Sequence, residues 1–242
     1  MKHTVFYFAP HQDDELTNFG AAICADLDAG HEVFCVLCTD GGASGARGLL
    51  ADGGGCAWHD ERHAFALSRE AFAAARDREF TASCLALGIE PEHIVISPLR
   101  APDSGCTVEA ARRIILDATA ACPNEHTVIK TLLPVTWQRQ NPDHTAIAQA
   151  AAGLKAEGRF ADVRFYYEMI LLPAPDHIRL QKIEPSPQGR ERLLRAADEY
   201  GRWEPQNGRY AIGVHSVYDE MEEFRQKPFS WLVSANDEIS GR

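Results

Sequence analysis

The sequence predicts an α/β chain: a Rossmann-like, doubly wound and mostly parallel sheet with helices on both faces. Three observations carry this reading. Strand-like and helix-like patterns alternate along the chain. The run "EVFCVLCT" is continuously apolar, as expected for a strand of a buried parallel sheet. The 242 residues, 45% of them apolar, suffice for one sizeable core. In such a sheet the crossovers are right-handed and the working crevice lies at the carboxyl ends of the strands.

Each element follows from its local pattern. "TVFYF" is a short strand, and "ELTNFGAAICADLDAG" spaces Leu16, Phe19, Ile23 and Leu27 as one helix that stops at Gly30. "EVFCVLCT" is a second strand, and the Gly-rich "DGGASGARGLLADGGG" then interrupts before a helix from about His59 to Leu87. Next come the strand "HIVIS", a helix over Val108 to Ala121, the strand "TVIKTLL" and a helix over His144 to Ala156. "VRFYYEMILLP" and "HIRLQKI" read as further strands, with a helix from about Gln188 to Trp203. The last forty or so residues match no clear pattern. No repeat, low-complexity tract or linker divides the chain, so residues 1–242 read as a single domain.

Bulk properties narrow the function. The formal net charge is −11 and no Lys/Arg-rich block occurs, which argues against nucleic acid or an anionic membrane surface as partner. No apolar run reaches the roughly 18 residues of a membrane span. The start "MKHTVFYFAP" has too short an apolar core for a signal peptide, which places the protein in the cytoplasm. Seven scattered cysteines, an odd number, suit reduced and buried thiols. Cys35 and Cys38 form a C-x-x-C, but three residues apart on a strand they face opposite sides and belong to the core.

Two motifs follow strands directly. After the first strand comes "PHQDDE", a histidine and three acids; after "TVIKTLLP", by way of "VTWQRQ", comes "NPDH". Taken singly, Asp13 or Asp14 reads as a helix cap and "NPDH" as a helix start. Taken together, His11, a carboxylate three residues on and the distant His144 are the ligand types of a catalytic Zn²⁺ with a position open for water. A neighbouring carboxylate is then free to accept a proton, and a cation offsets the crowding of acids.

These residues carry a resemblance. "APHQDDE" resembles the A/P-H-P-D-D-E signature of the PIG-L/LmbE-like zinc-dependent deacetylases, which act on N-acetylglucosaminyl compounds. "NPDH" is similar to that family's H-P-D-H motif, "TDGGASG" to the Gly-containing loop after its second strand, and Arg76, Glu79, Leu87 and Gly88 to its R-x-x-E…L-G helix. The likeness covers residues 1–170, leaving 171–242 as a C-terminal extension of the same domain. It implies a metal held by His11, Asp14 and His144, with Zn²⁺ expected and Fe²⁺ suited to the same ligands. Asp13 would be the general base, with Asn141 assisting at the oxyanion, Glu15 supporting the turn, and Arg76 and Arg139 facing the substrate. The expected reaction is hydrolysis of the acetamide of an N-acetylated amino sugar or its conjugate, a small molecule. Homo-oligomers are compatible with the resemblance.

Two departures stand out. Gln12 replaces the family proline, which should loosen the turn. Asn141 replaces a histidine, so it can donate a hydrogen bond but cannot carry a proton; Arg139 and His215 are candidates to stabilise charge in its place. Trp58, Trp137, Tyr166 and Tyr167 could stack on a sugar, though aromatic residues beside strands are more often core. Three rival readings stay open: a dinucleotide binder using "GGASGARG", whose spacing is not G-x-G-x-x-G; a non-catalytic family member that binds a sugar-like ligand; and a metal amidohydrolase for another N-acyl substrate.

Overall fold

The computed structural model describes residues 2–52, 63–122, 124–133 and 141–234. The amino-terminal half runs β1 (Thr4–Ala9), α1 (Asp14–Thr17), α2 (Gly20–Asp28), β2 (Glu32–Thr39), α3 (Ala46–Ala51), α4 (Arg69–Leu87), β3 (Ile94–Ala101) and α5 (Val108–Ala118). Then follow β4 (Thr127–Leu132), α6 (Pro142–Ala156), β5 (Asp162–Tyr167), β6 (Leu180–Ile183) and α7 (Pro187–Tyr200). The chain closes with β7 (Trp203–Glu204), β8 (Arg209–Tyr210), α8 (Ile212–Ser216), α9 (Tyr218–Gln226) and β9 (Ser230–Val233).

Among the described residues the main sheet has seven strands in the order β3-β2-β1-β4-β5-β9-β6, and β7 pairs with β8 in a separate ribbon. The first five are parallel, so the expected doubly wound sheet forms; β9 and β6 add an antiparallel edge. Strand order reverses at β1, which pairs with β2 on one side and β4 on the other. That switch point opens a crevice at the carboxyl ends of β1 and β4. The two sequence motifs follow those two strands.

Alternation along β1 builds both cores. Val5, Tyr7 and Ala9 join Ile23 of α2, Phe80 and Leu87 of α4 and Leu193 of α7 on one face. Phe6 and Phe8 join Ile114 and Ile115 of α5 and Ile147 and Leu154 of α6 on the other. Full burial of each such side chain contributes about 1.5–3 kcal/mol. Cys35 lies in the first cluster and Cys38 in the second, as their spacing requires. Among the described residues no helix is long and apolar enough to cross a membrane.

Four local expectations need correction. The helix expected from His59 starts at Arg69, where the Ser68 hydroxyl caps the Ala71 N–H; residues 63–68 are not helical, and 59–62 lie outside the described residues. The first helix is broken: the Phe19 N–H reaches back five residues to the Asp14 carbonyl, and α2 restarts at Gly20. The strand expected through "EMILLP" ends at Tyr167 and becomes a single 3₁₀ turn, Met169–Leu171. Tyr166 and Tyr167 are fully buried, so neither faces a ligand.

Candidate metal centre

The turn after β1 is held in an unusual conformation from three sides. Asp13 adopts φ +120°, where a side chain is strained, a state that costs roughly 1–3 kcal/mol and persists only under external constraint. Its N–H donates to Glu15 Oε2 at 3.1 Å, and Glu15 Oε1 in turn accepts from the Tyr200 hydroxyl at 2.7 Å. Asp13 makes no side-chain cap to α1; its carboxylate instead meets Arg76 Nη2 at 3.0 Å. Arg76, 3% exposed, also donates to the carbonyls of Gln12 and Gly41. Gln12 does not loosen the turn as expected: its Nε2 donates to the Asp40 carbonyl and to Asp77, tying β1, the Gly-rich loop and α4 together. Gly41 is required there, since it sits at φ +62° and a Cβ would come within 2.0 Å of Gln12 Oε1.

His11, Asp14 and His144 converge although they come from the two motifs. His11 Nδ1 and His144 Nε2 are 3.0 Å apart, and Asp14 Oδ2 is 3.6 Å from the first and 3.4 Å from the second. The opposite ring nitrogens are anchored on carboxylates: His144 Nδ1 on Glu168 at 2.8 Å, His11 Nε2 on Asp143 at 3.1 Å with Asp103 at 3.5 Å. This turns both inner nitrogens toward one point, and outer carboxylates of this kind fix the tautomer of a metal-bound histidine. Asp14 is held in place by the His11 N–H and by Asn18 Nδ2, each at 2.9 Å. Two imidazoles and one carboxylate, with all three ligand atoms within 4.8 Å of one another, fit a divalent ion with a coordination position left open.

Residues 6–154 match the family model of GlcNAc-PI de-N-acetylase, PIG-L, over more than half of the chain. The chain belongs to the PIG-L family. Its fold is similar to that of teicoplanin deacetylase Orf2 in a zinc-inhibited form, at 16% identity and TM-score 0.61, covering 96% of this chain and 98% of that one. The A40926 pseudoaglycone deacetylase Dbv21 is similar at 17% identity and TM-score 0.59, covering 96% of each chain. The N,N'-diacetylchitobiose deacetylase of Pyrococcus horikoshii, solved with its inhibitor, gives 17% and 0.55, covering 89% of this chain and 78% of that one. No curated protein matches the sequence.

A cavity of about 410 Å³ opens over the cluster, lined among others by His11, Asp13, Asp14, Asn141 and His144. Its walls include residues 43–45 of the Gly-rich loop, Ala46 of α3, and His215 and Ser216 of α8 with Val217 beyond it, so the C-terminal segment completes the pocket of this PIG-L chain. Asn141 is the N-cap of α6, where Oδ1 accepts from the Asp143 N–H at 3.0 Å and the His144 N–H at 3.5 Å. It thereby fixes the turn that delivers His144. Arg76, expected to face the substrate, lines the pocket but commits its guanidinium to Asp13 and two carbonyls. His215 has Nδ1 on the Ala211 carbonyl and Nε2 on His63, so neither nitrogen is offered as a charge stabiliser in this arrangement. Arg139, Trp58 and Trp137 lie outside the described residues.

Burial and charge set the protonation states. Burial pushes Asp13 up to about 7, against the pull of Arg76 and with the push of Asp14. Burial would also raise Asp14, but His144 and His11 hold it well below the usual carboxylate range. Burial would lower His144; Asp14 and Glu168 outweigh it and raise the ring to about 9. His11 is likewise raised, burial being outweighed by Asp103, Asp14 and Asp143. Burial lifts Glu15 to about 8 and Glu79 to about 7.

Apart from that of Asp14, these shifts share one sign. Asp13, Glu15, Glu79 and His144 all hold protons in the folded chain at pH values where the unfolded chain has released them. The histidine contribution is complete below its unfolded pKa of about 6.5 and lost toward about 9, while the carboxyls penalise folding as pH rises through about 4.5–8. The metal-free protein should therefore melt at progressively lower temperature between about pH 6 and pH 9. Because a metal needs neutral histidines, the rise in Tm on adding zinc should grow over the same range. Thermal scans at several pH values check both; a flat profile would contradict them.

Glu168 escaped the sequence reading because "YYEMILL" looks like continuing strand. Glu168→Gln keeps the shape but removes the charge behind His144, and metal affinity should fall about 10–100-fold. Competition against a chelator of known affinity measures this, and unchanged affinity would remove Glu168 from the centre.

Proposed function

We propose that this PIG-L protein is a metal-dependent hydrolase that removes the acetyl group from an N-acetylated amino sugar or its conjugate. The observation that carries this reading is the approach of His11 and His144 to 3.0 Å across 133 residues of sequence, beside an acid that is not needed as a ligand. An ion held by His11, Asp14 and His144, Zn²⁺ or Fe²⁺, would supply Lewis-acid polarisation of the acetamide carbonyl and of water.

The chain's own residues account for the remaining work. Asp13, poised near 7 by burial, accepts the proton of the attacking water and returns it to the departing amine. Arg76 and Glu15 act through Asp13 by holding its carboxylate and its strained N–H. With Oδ1 of Asn141 engaged in the helix cap, its amide nitrogen is the group left to donate to the oxygen that becomes negative. Asp143 and Glu168 keep the two histidines in register. Arg139 is retained as a substrate-facing residue on the resemblance. Teicoplanin deacetylase and diacetylchitobiose deacetylase among the similar structures support an amino-sugar conjugate as the substrate class.

Competing a panel of N-acyl amino sugars against simple acetamides tests the substrate class. A preference for the sugars, read as a higher kcat/KM, is expected. Equal turnover of simple acetamides would assign the chain to another amidohydrolase activity.

A further inference from the structure

A second pair of histidines meets at the pocket wall. His63, 1% exposed, precedes α4, and His215 stands on α8. Their Nε2 atoms are 3.0 Å apart and their ring centroids 5.0 Å apart, the same two separations as in the His11–His144 pair. His215 Nδ1 lies 2.7 Å from the Ala211 carbonyl, which can only accept. A proton therefore sits on Nδ1, so that in the neutral ring the lone pair is on Nε2. A carbonyl behind the outer nitrogen is the usual support of a metal-bound histidine.

The backbone is clamped to present that carbonyl. Ala211 adopts φ +48°, a left-handed state that alanine seldom takes. Both oxygens of the buried Glu79 accept from the next two N–H groups, Ile212 at 2.9 Å and Gly213 at 3.0 Å. Trp203 packs on the His63 ring at 4.5 Å between centroids and 32° between planes, holding that ring in turn. Upstream, the sequence runs Cys56-x₂-His59-x₃-His63, a spacing of zinc-ligand residue types, although Cys56 and His59 lie outside the described residues.

We infer that His63 and His215 are ligands of a second divalent transition-metal site, best suited to Zn²⁺ and separate from the centre on His11, Asp14 and His144. Imidazole nitrogens suit such an ion. The site as inferred consists of these two described residues. It ties the segment before α4 to α8 and so braces the wall of the pocket; it does not depend on the proposed reaction.

Metal counting tests it. The full chain is stripped with chelator, reloaded with zinc, desalted and analysed for zinc per chain. Two equivalents are expected in wild type, one in His144→Ala, one in His215→Ala and none in the double variant. A single equivalent in wild type, none in His144→Ala, or one surviving in the double variant would overturn the inference and leave an ordinary hydrogen bond between two imidazoles. His144→Ala leaves His63 and α8 intact, so its count decides the matter even if His215→Ala fails to fold. Acetate release is scored separately, so loss of the second site and failure of the deacetylase reading give different results.

Discussion

Asp13→Asn is expected to lower turnover of an N-acetyl amino sugar by about 10²–10⁴-fold, the usual span for removing a general base. Metal content should stay at the wild-type level. The separation follows from geometry: the Asp13 carboxylate faces Arg76 at 3.0 Å, whereas Asp14 Oδ2 faces both histidines. Asparagine has the same shape and keeps an oxygen for Arg76, which retains the Gln12 and Gly41 carbonyls as partners. Acetate assays beside elemental analysis read both quantities. Normal turnover would show that another group takes the proton; lost metal would show that Asp13 is a ligand.

His144→Ala should have the complementary effect, removing the equivalent of metal bound at this centre and acetate release with it. The loss should exceed the roughly 10–100-fold that removal of an orienting partner costs, because the variant deletes a donor atom itself. His144 Nε2 also links α6 to both ligands of the first motif, His11 and Asp14, whereas Asp143 of the same helix meets the outer nitrogen of His11. Metal retained in full, with activity intact, would mean that "NPDH" only starts a helix.

The centre of the sheet was legible because β1, β2 and β4 are buried on both faces and read as largely apolar runs. The candidate ligands were legible because they directly follow β1 or stand at the start of the helix after β4, where a switch point gathers them. What stayed hidden depends on partners distant in sequence. The break at Asn18 is one such feature, since its side chain bridges Asp14 and the Met169 N–H. Asp103 sits in "RAPDSG", an ordinary turn until His11 Nε2 is found 3.5 Å away. Asn141 looked like the loss of an acid, and in the fold it is first a cap that positions His144. The stretch "HDERHAFAL" before Ser68 has no Gly or Pro to break a helix, but Ser68 caps the helix one residue before Arg69 and the backbone leaves the helix there. The short β9 was not assigned at all, because four residues carry little period of their own.

The most direct test is acetate release by the purified wild-type chain from N-acetylglucosamine glycosides, before chelation, after it, and after zinc or iron(II) is returned. The account predicts release that disappears with the metal and returns with it. No acetate from any N-acetylated amino sugar by the metal-loaded chain, or release undiminished after complete removal of metal, would contradict it.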